Sequence, residues 1–151
     1  MKDAPRDGHP WHSAADTAVV LGGLLDLSLD TSQPVIYDRP IGLRRIYVDP
    51  HTGGEHFLVH YPMGLRAARH HHSAAHTIVV LDGALLVEGA VLGPGSYCHF
   101  PPMTSMHHEP ADGQDCRFVI IFHGPFDVHP EPAGRPGDGE LGAAPAGRGD
   151  Q

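Results

Sequence analysis

The chain predicts an all-β fold, an antiparallel sandwich or barrel, on three observations. Short runs rich in β-branched and aromatic residues recur between turn signals, a helical period is almost absent, and Asp82-Gly83 separates two apolar runs as a hairpin turn would.

Taken in order, residues 21–29 are ambiguous because Gly22-Gly23 interrupts them, so they read as a strand or as one short helix. Strands are expected at 35–38, 41–48, 56–61, 77–81, 84–87, 96–100 and 117–123, each bounded by Gly, Pro, Asp or Ser. Asp82-Gly83 suits a type I′ turn, which needs positive φ at both central residues.

With 151 residues the chain is expected to form one domain, large enough for a core without staples. Residues 17–129 carry the strand-like runs, whereas 130–151 hold almost no large apolar side chain to offset the entropy of ordering. That tail and residues 1–16 are expected to be disordered. The formal charge of −8 comes with no basic cluster, which excludes an electrostatic footprint for nucleic acid and leaves a small molecule as the expected partner. Cys98 and Cys116 are too few for a disulfide framework and lie in strand-like runs, so buried free thiols are expected. The first residues lack the apolar core of a signal peptide, and no run approaches membrane-spanning length. A cytoplasmic protein without a membrane partner is the expectation.

The chemistry is concentrated between Gly64 and Gly83, in G-L-R-A-A-R-H-H-H-S-A-A-H-T-I-V-V-L-D-G. Side chains two apart on a strand share a face, so His70 and His72 converge while His71 points away, and His76 arrives from the next strand. This spacing builds a metal site on a hairpin. Fourteen histidines make some proximity a matter of chance, and His9, His12, His51 and His129 fall in expected loops and tails where solvation is the default.

Gly64-x5-His70-x-His72-x3-His76-x6-Gly83 resembles the first motif of the cupin superfamily, with His76 where the family carries glutamate. Gly95 to His107, with Pro101-Pro102 inside it, is a looser match to the second motif. The two motifs and their flanking strands span about half the chain. The resemblance implies a jelly-roll barrel, the double-stranded β-helix, in which His70, His72, His76 and His107 hold one divalent metal ion. His107 is preferred to the adjacent His108 by the motif spacing counted from Pro102. Similar cupins pair two chains through their early strands, so a homodimer with a contribution from residues 35–48 is expected.

Four neutral imidazoles leave the charge of the ion uncompensated, where a glutamate would lower it by one, so the ion should be a stronger Lewis acid and harder to oxidise. Imidazole suits Fe(II), Zn, Mn, Ni and Cu alike; the resemblance favours Fe(II). An octahedral ion keeps two positions open, whereas tetrahedral zinc would be closed. Cupins with all-histidine sites imply a dioxygenase acting on a small ketone, enol or aromatic metabolite. The alternatives are a redox-neutral polyketide cyclase or isomerase, and a cupin that binds metal or ligand without turnover. Tyr97, His60 and His123 lie on strands near the motifs and are the candidates for completing the catalytic chemistry. Phe57, Ile78, Val80, Phe100, Met103, Met106, Phe118 and Phe122 include the expected pocket lining, and Arg66 and Arg69 are expected in solvent.

Overall fold

The computed structural model describes residues 18–132 of the chain. Its strands are β1 (Asp30–Ser32), β2 (Ile41–Val48), β3 (Glu55–Tyr61), β4 (His70–His71), β5 (His76–Gly83), β6 (Leu85–Val87), β7 (Ala90–Leu92), β8 (Tyr97–Phe100), β9 (His108–Pro110), β10 (Cys116–Phe122) and β11 (His129–Pro130). One sheet runs β1-β2-β3-β10-β5-β8, a second runs β7-β6-β9, and β11 pairs with β4. Every pairing is antiparallel. Residues 21–29 contain a single 3-10 turn, Leu24–Asp26, and 35–38 form only a bridge between Tyr37 and Ala67.

The core follows from strand periodicity. On β10 every second residue is buried, so Cys116, Phe118, Ile120 and Phe122 face inward while Arg117, Val119 and Ile121 alternate with them. On β5 the inward row is His76, Ile78 and Val80, and across the ladder Ile78 stands opposite Ile120 and His76 opposite Phe122. Leu65, Leu85, Val87 and Met106 close the cluster from the other side.

Two expectations are corrected. Asp82-Gly83 is not a hairpin turn: β5 continues through it, pairing Asp82 with Arg117 and Gly83 with Cys116, and β6 then leaves for the other sheet. The two-residue hairpin is Glu88-Gly89 between β6 and β7, with φ of 46° and 87°. The second correction concerns the C-terminal boundary, because His129–Pro130 form a strand and Glu131 donates its N–H to the Arg69 carbonyl while accepting from Ser105. Backbone pairing holds this segment despite its apolar poverty. Of the disorder expected over 1–16 and 130–151, residues 1–16 and 133–151 lie outside the described residues.

Gly83 explains why the corner needs glycine. Its φ is 73°, and an added Cβ would stand 2.0 Å from the Asp115 carbonyl oxygen. Gly83→Ala is therefore expected to cost roughly 2–4 kcal/mol. A urea midpoint equal to that of the parent chain would refute this account of the corner.

Candidate metal centre

Strand β4 delivers His70 to the interior, His72 follows two residues later on the same side, β5 opens with His76, and β9 opens with His108. All four imidazoles are buried. Neighbouring rings stand 5.0 Å apart for His70 and His72, 4.8 Å for His72 and His76, 5.9 Å for His70 and His108, and 6.2 Å for His76 and His108. Register fixes one of them tightly. His76 lies opposite Phe100 on β8 and Phe122 on β10, and its ring is stacked between theirs at 4.8 Å and 5.2 Å.

Hydrogen bonds set the direction of the rings. Nδ1 of His70 donates to the Ala68 carbonyl at 2.8 Å and Nδ1 of His72 donates to the Asp127 carbonyl, a pairing that leaves a lone pair on each Nε2. His108 Nδ1 pairs with the Tyr61 hydroxyl at 2.9 Å, and that hydroxyl pairs with Tyr37 at 2.5 Å. Nε2 of His70, Nε2 of His108 and both ring nitrogens of His76 are buried without a hydrogen-bond partner. Buried polar atoms are seldom left so, because each costs its desolvation.

Among the described residues no three His, Cys, Asp or Glu side chains already stand in coordination geometry. The rings are nonetheless close to it. With metal–nitrogen bonds of about 2.1 Å, ligating rings at right angles have centroids roughly 4.5 Å apart and opposed rings roughly 6.5 Å apart. The observed separations, 4.8 to 6.2 Å, fall within that span. An all-imidazole donor set with backbone-anchored Nδ1 atoms fits a divalent transition metal.

Burial dominates the electrostatics of the cluster. Desolvation holds the His70 pKa down at about 4 and that of His76 at about 3, with the other imidazoles adding to the effect. His108 is pushed well below the usual histidine range by the same two causes, and His72 is lowered by desolvation, opposed by its hydrogen bond to the Asp127 carbonyl and by the Asp127 charge. Burial raises Tyr37 to about 12 and holds Tyr61 well above the usual phenol range, so both phenols keep their protons.

The sequence-predicted residues divide clearly. His70, His72 and His76 come together. His107 does not: Met106, bridged to His70 and buried, sets the phase of this segment, so His107 turns outward to Glu88 and Arg69 while His108 turns in. Counted from Pro102, the loop holds one residue more than the motif. Tyr97 is 65% exposed on the outer strand β8. His60 points away from the core and pairs with Asp115, and His123 bonds Thr77 on the outer face beside His99. None of these three reaches the cluster. His71 is half-buried rather than exposed, stacked on His129 and paired with Glu131. Arg66 and Arg69 face solvent, paired with Glu109, Asp112 and Glu88.

Beside the four rings lies a cavity of about 270 Å³, walled by Ile36, Tyr37, Phe57, Phe118, Phe122 and Phe126 among others, with His70, His72 and His108 at its inner end. Among the described residues no Lys, Arg, Asp or Glu lines it. Of the expected lining, Phe57, Phe118 and Phe122 are present, whereas Ile78, Val80, Phe100 and Met106 pack in the core and Met103 is exposed.

The family model of the ChrR Cupin-like domain matches residues 29–127, about two thirds of the chain. The chain belongs to this cupin family. As a cupin it is similar in fold to an acetylacetone dioxygenase from Acinetobacter johnsonii, at 16% identity and a TM-score of 0.61, covering 84% of this chain and 83% of that one. It is similar also to the polyketide cyclase RemF from Streptomyces resistomycificus, at 17% identity and a TM-score of 0.59, covering 78% and 89%. A third similar structure is Rhodobacter sphaeroides SigE in complex with the anti-sigma ChrR, at 18% identity and a TM-score of 0.54, covering 67% of this chain and 52% of that one. No curated protein sequence matches this cupin closely enough to count as a relative. Among the described residues no helix is long and apolar enough to cross a membrane.

The depressed histidine values make the metal-free protein acid-sensitive. An unfolded histidine takes up its proton near pH 6.5, whereas folded His70 and His76 refuse theirs until about 4 and 3, so stability is complete above pH 6.5 and is lost as pH falls toward those values. His76→Phe, which removes two orphaned nitrogens between two phenyl rings, is expected to raise the metal-free thermal midpoint and to flatten its decline below pH 6.5. A steeper acid limb in that variant would contradict the assignment.

Proposed function

We propose that the chain is a metal-dependent cupin enzyme whose His70, His72, His76 and His108 hold one divalent ion, Fe(II) by preference. The observation that carries this reading is the set of buried, unpartnered imidazole nitrogens on His70, His76 and His108, two of which, His70 and His108, line an apolar cavity together with His72. Such an ion supplies Lewis acidity and open positions for a chelating oxygen pair, and a redox-active one adds electrons that dioxygen can accept.

The chain's own residues define the rest. Phe57, Phe118, Phe122 and Phe126 exclude water and suit a small, uncharged ketone, enol or aromatic guest. No carboxylate or lysine in the cavity stands ready as a general base, so a substrate that loses its proton readily is favoured over one needing a dedicated base. This supports dioxygenation of an acidic enol or dicarbonyl over cyclisation, which calls for directed proton transfers. The similar structures include an acetylacetone dioxygenase and a polyketide cyclase alike, so the preference rests on the cavity lining and not on that likeness.

A specific observation favours a second reading. The matched domain is named for ChrR, which the solved complex describes as an anti-sigma factor, so a metal- or ligand-binding domain without turnover is the alternative. Assembly belongs to the same proposal: a homodimer is supported by the free outer edge of β1 and the exposed Val35.

Metal content measured after reconstitution separates the ligand sets. His108→Ala is expected to retain less than about a tenth of the parent's metal affinity, and His107→Ala to match the parent. Equal loss in both variants would refute the ligand set. Oxygen uptake by the iron-loaded chain should require a chelating ketone or enol; turnover that continues without oxygen in the zinc-loaded chain would establish the redox-neutral route instead.

A further inference from the structure

Tyr37, Tyr61 and His108 form a chain of three heteroatoms, Oη to Oη at 2.5 Å and Oη to Nδ1 at 2.9 Å, running from the cavity wall to the buried imidazole. It has two hydrogen-bond polarities with the same number of protons. In the first, Tyr37 donates to Tyr61, Tyr61 donates to Nδ1, and the imidazole hydrogen sits on Nε2. In the second, Nδ1–H donates to Tyr61, Tyr61 donates to Tyr37, and the Tyr37 hydrogen is left without a partner in the chain.

The surroundings decide between them. His108 Nε2 is buried and has no partner in the protein, so neither form satisfies it. The first form uses both phenol hydrogens and is favoured while Nε2 is not engaged. An ion at Nε2 needs its lone pair and admits only the second form.

We propose that the two tyrosines are positioning and specificity residues: occupation of His108 Nε2 reverses the polarity of the chain and turns the Tyr37 hydroxyl into a hydrogen-bond donor toward the cavity. The inference rests on the metal reading above and adds what it would recognise. With no cation in the lining, a donor at Tyr37 selects a guest with a carbonyl or enolate oxygen over an apolar guest of equal size. Among the described lining residues Ser32 carries the one aliphatic hydroxyl and serves as the control.

The test uses the full chain, metal-free and zinc-loaded, with acetophenone and ethylbenzene as matched probes. Nitrogen-15 spectra of the His108 ring are expected to report hydrogen on Nε2 without zinc and on Nδ1 with it. Calorimetry should find a preference for the ketone in the zinc-loaded chain that falls about tenfold in Tyr37→Phe and persists in Ser32→Ala. Tyr61→Phe uncouples Tyr37 from His108, so in that variant the part of the preference that depends on Tyr37 should already appear without zinc, an effect that loss of packing would not produce. Hydrogen remaining on Nε2 after zinc binds, or an unchanged ketone preference in zinc-loaded Tyr37→Phe, would overturn the switch while leaving the metal site standing. Failure of the chain to bind zinc at all would overturn both.

Discussion

Four imidazoles share one desolvated volume, and the rest of the structure is arranged around that cost. An uncharged imidazole in an apolar interior is tolerable only if its polar atoms find partners, and here four ring nitrogens find none within the protein. What the fold does supply is orientation. Two carbonyls and one phenol fix three of the rings through Nδ1, and two phenyl rings hold the fourth by stacking alone. His76 is thus positioned by register, since β5 places it directly between Phe100 and Phe122. The same aromatic residues that orient the ring raise the cost of charging it, so geometry and electrostatics have one cause.

The chemistry permitted in the cavity follows from which charges are kept away. Glu109 is buried on the strand that carries His108, yet its carboxylate accepts from the Ala67 N–H and faces Arg66 rather than the four rings. Asp127, whose carbonyl holds His72, turns its carboxylate to Ser73 and His129, and these bonds draw its pKa down to about 2. No carboxylate lining the cavity is left to compensate an ion there. Under the proposed metal-dependent reading, a guest with a partial or full negative charge on oxygen would be complementary to the site, and the phenylalanine walls suit a small, otherwise apolar skeleton.

A period of two residues makes much of this legible in the amino-acid sequence. The expected strand 41–48 coincides with β2, and the shared face of His70 and His72 is reproduced. Phase is harder. His107 and His108 differ by one residue, and the choice between them depends on Met106, which bridges His70 and is buried, a long-range contact that no local pattern encodes. His60 and Tyr61 pose the same problem with the same outcome, the later residue facing in, because β10 fixes the inward face of β3 by setting Val59 opposite the buried Phe118. Asp82-Gly83 shows a third kind of ambiguity: positive φ at a glycine serves a corner between sheets as well as a hairpin, and only the closeness of Asp115 separates the two. Turn chemistry specifies a backbone conformation, not the partner strand.

The segment after β10 carries the remaining step, since it is poor in apolar residues and its structure nonetheless closes the cavity wall. Phe126 lies against His72, Phe57 and Phe122 on the cavity wall, and the Asp127 carbonyl orients His72. His129–Pro130 then pair with β4, the strand that carries His70. Composition undervalues these residues because their anchoring is by backbone pairing and polar contacts, to which apolar content is blind. One short strap therefore couples the aromatic wall of the cavity to His70 of β4 and His72 just after it, so displacing the strap would open the cavity and release His72 together.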